Sequence, residues 1–238
     1  HPRPSHADWV AMQKFKGFAD YRGGGHFSGR LTLGLVTAGV VAKLILNTLY
    51  PQKVHVESTL TEVGGCNDPE KFAEIIEKAL RSQDSVGGII ECTATGLPAG
   101  LGEPFFDSVE SVMSHLLYAV PAVKAVEFGL GFGSAKLRGS ENNDPIAAPD
   151  GRTVTNHAGG IVGGITNGNP INVRVAIKPT ASISTPQLTL NTQTGTPERL
   201  IIKGRHDACI AMRASVVVEA AVAAALCDLA LVAKSQGL

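Results

Sequence analysis

The sequence predicts an α+β fold in which antiparallel sheets cover helices. Several segments, for example residues 53–58, alternate apolar and polar side chains with a period of two, as half-buried strands do. Two segments, 31–50 and 211–234, are apolar over helical lengths. Because strands and helices alternate irregularly along the chain, we prefer this class to a doubly wound parallel sheet, which stays the alternative.

Turn and capping residues divide the chain into elements. Pro51 ends the first long helix, and Asp68 with Pro69 has the pattern of a helix start, after which Phe72, Ile75, Ile76 and Leu80 share one face. The predicted strands are 53–58, 86–95, 122–128, 171–177 and 199–203; the predicted helices are 31–50, 108–119 and 211–234, with a further helix following Asp68.

Composition excludes several function classes. The net charge is zero and aromatic residues make up 5%, which argues against a nucleic-acid binder that must neutralise phosphates or stack bases. The four cysteines form no CxxC pair, so a zinc ribbon is unsupported, and no HExxH or paired-carboxylate spacing predicts a catalytic metal. Scattered thiols are typical of a cytoplasmic protein. Charged residues interrupt both apolar stretches, which predicts buried helices and no membrane partner.

A first polar cluster lies within the first 30 residues. Arg3, His6 and Asp8 are followed by the segment 22–30, which holds two arginines, a histidine and three consecutive glycines. Glycines allow close backbone approach to a ligand, and arginines bind phosphate or carboxylate in a bidentate manner. We therefore expect an anion site here, although the glycines alone would fit a simple turn with solvated charges.

Three later segments leave more than one interpretation open. The doubled glycines of 156–165 fit close backbone packing better than a cofactor loop. The segment 178–182, which contains a lysine and two hydroxyl residues, could hold a polar ring or a phosphate, or it could simply end an edge strand. In 203–209, Asp207 could cap the following helix or handle a proton, with Arg205 as an anion clamp.

Taken together, eight motifs resemble those of chorismate synthases and occur in the order of that family. They cover essentially the whole chain, which we therefore treat as a single domain, 1–238. The motifs are RPSHAD (3–8), RGGGHFSGR (22–30), GLGEPFFD (100–107), AVKAVEFGLGF (122–132), RGSENND (138–144), NHAGGIVGGITNG (156–168), KPTASI (178–183) and GRHDACIAMR (204–213).

The resemblance implies a β-α-β sandwich, with helices between antiparallel sheets, assembled as a homotetramer. It implies 1,4-anti elimination of phosphate from 5-enolpyruvylshikimate-3-phosphate, which gives chorismate. Reduced FMN is required without net redox change, and some members reduce it with NADPH. The arginines of the chain suit the anionic substrate.

The resemblance also implies residue roles. His6 corresponds to the histidine that protonates the reduced flavin, and Asp207 to the aspartate beside flavin N5 that assists the final C–H deprotonation. Arg3, Arg30 and Arg205 correspond to anion contacts. The implied FMN contacts are His26, Phe27, Ser28, Pro121, Ala122, Gly163, Lys178, Pro179, Thr180, Ala181, Ser182 and Arg205.

The family's FGESHG-type segment, with a second catalytic histidine, is absent from this sequence. We expect either a fragment or further residues before His1. Two other hypotheses therefore stay open: a truncated flavin- or anion-binding module without catalysis, and a structural domain that forms oligomers.

Overall fold

A computed structural model of the chain describes residues 1–20 and 24–237. The strands are β1 His55–Val63, β2 Gly88–Thr95, β3 Val123–Phe128, β4 Ile161–Val162, β5 Ile165–Thr166, β6 Ile171–Ile177, β7 Gln187–Leu190 and β8 Pro197–Leu200. The α-helices are α1 Asp8–Lys14, α2 Thr32–Leu49, α3 Phe72–Arg81, α4 Val109–Ala119, α5 Gly139–Asn142 and α6 Ala211–Ser235.

The central element is a four-stranded antiparallel sheet in the order β1-β2-β6-β3. Side chains of β2 and β6 alternate strictly between buried and half-buried, because one face packs on the core and the other faces outward. On the outward face Arg174 Nη1 pairs with Glu127 Oε1 at 3.0 Å. The α+β prediction with an antiparallel sheet is therefore confirmed.

Helices α2, α4 and α6 form a layer on the apolar face of this sheet, with α6 against β1 and β2. The middle of α2 approaches α6 closely, since a Cβ placed on Gly39 would lie 2.5 Å from Ala220 Cβ. Beside this contact Lys43 pairs with Glu219, whose other carboxylate oxygen accepts the Ser58 backbone N–H at 2.9 Å. This network gives the edge strand β1 a partner from the helix layer.

The expectation of two buried helices is correct for α6 and only half correct for α2. By length and composition, 29–49 and 211–235 could each cross a membrane. However, 67% of the apolar stretch in 211–235 is buried, whereas only 17% of the apolar stretch in 29–49 is buried. In α2, Leu33 is 74% exposed and Leu44 65%. The reason is geometric: α6 covers one side of α2, and within the described residues its other side is bare.

Some details differ from the predictions. Leu80 is exposed and Ala79 is buried instead, since Ala79 lies four residues after Ile75 and three after Ile76 and so continues their face of α3. Asp68 does cap the 3₁₀ turn Pro69–Lys71 that precedes α3, because its side chain accepts a hydrogen bond from the Glu70 backbone N–H. The strand predicted at 199–203 begins two residues earlier and ends three residues earlier, as β8, because it pairs with β7 in a hairpin.

Candidate functional site

A compact polar cluster forms at the start of the chain. The Arg3 side chain donates to both carboxylate oxygens of Asp8, from Nε at 2.7 Å and Nη2 at 2.8 Å. His6 Nδ1 lies 2.6 Å from Asp8 Oδ1 and 3.0 Å from Arg3 Nη2. Two of the residues singled out from the sequence, Arg3 and His6, are therefore in direct contact.

Asp8 holds this cluster together electrostatically. Partial burial alone would raise the pKa of the Asp8 carboxyl, but hydrogen bonds and charge from Arg3, with the His6 ring beside it, hold the pKa well below its usual range. The carboxylate is thus ionised at neutral pH and can only accept hydrogen bonds. Asp8 belongs to the motif 3–8, but its role was not predicted from the sequence. A motif shows the order of residues, whereas this role depends on which side chains are in contact.

The cluster is bound to the loop that follows β6. Arg3 Nη1 donates to Ser182 Oγ at 3.1 Å, and Lys178 Nζ donates to the Ser5 carbonyl at 2.7 Å. Both loop residues belong to the predicted flavin-contacting segment. Two parts of the chain more than 170 residues apart therefore meet at one place.

A cleft of about 430 Å³ opens beside this junction. Arg3, Ser5 and His6 line one side of the cleft, Trp9 adds an aromatic wall, and Thr189 of β7 contributes from the other side. Thr189 Oγ1 donates to the Pro2 carbonyl at 2.7 Å, which ties the N-terminal segment to the β7–β8 hairpin. The volume lies within the usual range for small-molecule sites.

Pro121 and Ala122 adjoin the same loop. The Lys178 backbone N–H donates to the Ala122 carbonyl at 2.9 Å, where β3 begins and β6 ends. Ala122 has φ +76°, a conformation that residues with a side chain seldom adopt. This strained turn lies beside Lys178, as strained backbone often does near functional sites.

The segment before β2 joins the loop to the region of Asp207. Ser85 Oγ donates to the Thr180 carbonyl at 2.7 Å, and the Val86 N–H donates to the Ala208 carbonyl at 2.8 Å. Pro179 lies over Gly87, where an added Cβ would be 3.2 Å from Pro179 Cδ. The three adjacent residues 85–87 thus contact both segments, which brings 178–182 and 207–208 to the start of β2.

Asp207 itself does not cap α6. Ile210 occupies the cap position without a side-chain hydrogen bond, so the capping interpretation is wrong. Asp207 instead pairs with Arg213 at 3.0 Å on the surface, and its side chain is 41% exposed. Arg205 is exposed, and Gly204 allows the His206 ring to fold back over it.

Within the described residues, two buried polar atoms near these segments, Thr180 Oγ1 and His206 Nε2, lack a hydrogen-bond partner. Buried polar atoms are nearly always paired in folded proteins. Three other side-chain atoms share this property, those of Glu110, Asn142 and Gln187, so the feature alone does not locate a ligand.

The predicted contacts before α2 are not hydrogen-bonded to the Arg3 cluster within the described residues. Ser28 Oγ accepts the Arg30 N–H at 3.2 Å and caps the 3₁₀ turn Gly29–Leu31, while His26, Phe27 and Arg30 are exposed. Arg22 and Gly23, part of the predicted anion site, lie outside the described residues.

The glycine pairs serve close packing, as predicted. Gly159 lies against the Gly129 backbone, and an added Cβ on Gly160 would lie 2.5 Å from the Pro170 carbonyl. Gly163 lies in the turn between β4 and β5 with φ +64°. Its surroundings are open, so a ligand can approach this turn.

Asp144 is an organising residue that sequence reasoning missed. Its carboxylate accepts hydrogen bonds from Thr155 Oγ1 at 2.6 Å and from the backbone N–H groups of His157 and Ala158. Burial would raise the pKa of Asp144, but these hydrogen bonds lower it. These contacts hold the surface segment 140–156 around one carboxylate. The only indication of this in the sequence was that Asp144 belongs to the family-like motif 138–144.

Comparison with known proteins identifies the family. The family model described as chorismate synthase matches residues 1–231. A chorismate synthase of Chitinophaga pinensis is 57% identical over 227 residues, covering 95% of this chain and 66% of that protein. One from Korarchaeum cryptofilum is 44% identical over 253 residues, covering 95% of this chain and 69% of that protein.

A solved structure agrees with these relatives. It is described as a crystal structure of chorismate synthase, matches with a TM-score of 0.68 at 26% identity, and covers 85% of this chain and 63% of its own. The chain thus spans about two thirds of the length of the proteins it matches. Because the match runs through nearly every residue described above, the chain belongs to the chorismate synthase family.

Proposed function

We propose that this chain catalyses the 1,4-anti elimination of phosphate from 5-enolpyruvylshikimate-3-phosphate to give chorismate, with reduced FMN and no net redox change. The observation that supports it most is the junction of the N-terminal cluster with the loop 178–182. Family motifs distant in sequence meet there beside one cleft.

The residues present fit a flavin. Thr180 Oγ1 is buried without a partner among the described residues, which suits a polar ring that would pair with it. Reduced FMN, when bound, would lend electron density to the breaking C–O bond and recover it when the hydrogen leaves. The proposed contacts are His26, Phe27, Ser28, Pro121, Ala122, Gly163, Lys178, Pro179, Thr180, Ala181, Ser182 and Arg205.

Anion binding is the proposed task of three arginines. Arg30 and Arg205 are exposed and therefore accessible to the carboxylates and phosphate of the substrate. Arg3 already binds Asp8 and Ser182, which leaves only part of its guanidinium for the substrate. Arg3 therefore contacts the anion at the edge of the cleft while it also supports His6.

Proton handling is assigned to His6 and Asp207. His6 lines the cleft, and its Nε2 is not used by any hydrogen bond within the described residues, so that atom can take up a proton and then deliver it to a bound ligand. Asp207 has one exposed ion pair with Arg213 and can accept a proton without breaking a buried network. We assign the deprotonation of carbon to Asp207.

We also propose that the protein is a homotetramer in the cytoplasm that acts without nucleic acid or a membrane. The exposed apolar side of α2 supports an assembly in which this side is covered. The free cysteines Cys66, Cys92, Cys209 and Cys227 support a reducing compartment.

A matched pair of histidine substitutions tests this function. Under anaerobic conditions with reduced FMN and substrate, His6→Gln should lower turnover by about 100-fold, the usual contribution of a general acid. His55→Gln is the control, since His55 is an exposed residue of β1. Equal turnover in both variants would contradict the role of His6. FMN binding without turnover in the unaltered chain would favour the non-catalytic module.

A further inference from the structure

The hydrogen-bonding capacity around His6 restricts its tautomer. Asp8 Oδ1, an acceptor, lies 2.6 Å from His6 Nδ1, whereas Arg3 Nη2, a donor, lies 3.0 Å away. A bare Nδ1 would set its lone pair against the carboxylate oxygen at that short distance. An Nδ1 that carries a proton instead donates a charge-assisted hydrogen bond, a class whose separations of about 2.7–2.9 Å are shorter than those of neutral N–H···O bonds.

Arg3 keeps the carboxylate in place. It donates to both oxygens of Asp8 from Nε and Nη2, and its own backbone N–H donates to Oδ2 at 3.0 Å. Its Nη1 is held in turn by Ser182. Asp8 therefore has little freedom to turn away from His6, and the ring orientation follows from the carboxylate.

We propose that Asp8 is a positioning residue that holds His6 as the Nδ1–H tautomer and leaves Nε2 as the ring nitrogen presented to the cleft. Its effect on turnover rests on the proposed function, whereas the tautomer does not. An asparagine at this position cannot match its surroundings. Its amide NH₂ would face a donor of Arg3 if its oxygen accepted from His6, and would face His6 Nδ1 in the other orientation.

The test is ¹⁵N NMR of the histidine side chains at alkaline pH, where an imidazole is neutral. His6→Gln assigns the signal. In the unaltered chain we expect protonated Nδ1 and unprotonated Nε2, and Asp8→Asn should shift the population towards Nε2–H. The matched control is Asp150→Asn, because Asp150 likewise accepts from an arginine Nε, that of Arg152 at 2.8 Å, and from its backbone N–H, but on the exposed surface.

Two results would overturn the proposal: an Nε2–H tautomer in the unaltered chain, or an unchanged Nδ1–H tautomer in Asp8→Asn. If Asp8→Asn does not fold, the NMR spectrum of the unaltered chain alone tests the proposal. We then expect a far-downfield, exchange-protected signal from the His6 Nδ1–H proton, and the absence of this signal contradicts the proposal.

Kinetics give a separate readout. Asp8→Asn should lower kcat by about 100-fold with little change in KM, and Asp8→Glu should recover part of the loss because the carboxylate returns. An equal loss in Asp8→Glu would argue against the carboxylate as the cause. If the unaltered chain shows no turnover, the proposed function fails while the NMR result still decides the tautomer.

Discussion

Replacing Gly39 by alanine tests the close contact between α2 and α6. An added Cβ would lie 2.5 Å from Ala220 Cβ and 2.6 Å from Ala220 Cα, well inside ordinary contact distance. Because one neighbour is helix backbone, no side-chain rotation relieves the clash. Overpacking of this kind costs about 3 kcal/mol, against about 1 kcal/mol gained in helix propensity. We expect the free energy of unfolding to fall by about 2 kcal/mol.

Gly34 supplies the control within the same helix. It is exposed, nothing lies within 4 Å of an added Cβ, and Gly34→Ala should therefore raise the free energy of unfolding by about 1 kcal/mol. Thermal unfolding should show the Tm about 6 °C lower for Gly39→Ala and about 3 °C higher for Gly34→Ala. If Gly39→Ala is as stable as Gly34→Ala, the two helices are not in backbone contact and the reasoning is refuted.

Three further predictions concern single carboxylates and thiols. Asp207→Ala should lower turnover by about 100-fold and hardly change the Tm, since its ion pair is exposed; unchanged kcat in the anaerobic assay would remove Asp207 from catalysis. The lowered pKa of Asp8 means that its pairing with Arg3 stabilises the fold above about pH 4 and is lost as the pH falls. The difference in the free energy of unfolding between the unaltered chain and Asp8→Asn, measured by urea unfolding, should therefore become smaller from pH 6 to pH 3. A difference that stays constant over this range would contradict the prediction. Burial raises the pKa of Cys92 to about 12, so a thiol reagent at pH 8 should label Cys66 and spare Cys92 until the chain unfolds; mass spectrometry of labelled peptides decides.

The helices and strands could largely be predicted because their signals are local. The apolar run of α6 and the period-two pattern of β6 each lie within one segment, and Pro51 marks the end of α2. Errors arose where local patterns meet tertiary contacts. The exposed side of α2 depends on what packs against it, and periodicity does not reveal whether a partner covers both sides.

The candidate site was predictable as a set of motifs and not as an arrangement. Arg3, His6, Lys178 and Ser182 were all singled out, but their junction joins segments far apart in sequence. Asp8 was named without a role because a carboxylate two residues from a histidine in sequence need not bond to it. Its role became visible only through the distances to both partners.

The most direct test of the proposed elimination is its stoichiometry. The chain would be incubated anaerobically with 5-enolpyruvylshikimate-3-phosphate and a limiting amount of reduced FMN, while chorismate, phosphate and flavin oxidation state are followed together. The account predicts one phosphate per chorismate over many turnovers, with the flavin still reduced at the end. Phosphate release without chorismate, or one flavin oxidised for each turnover, would contradict it.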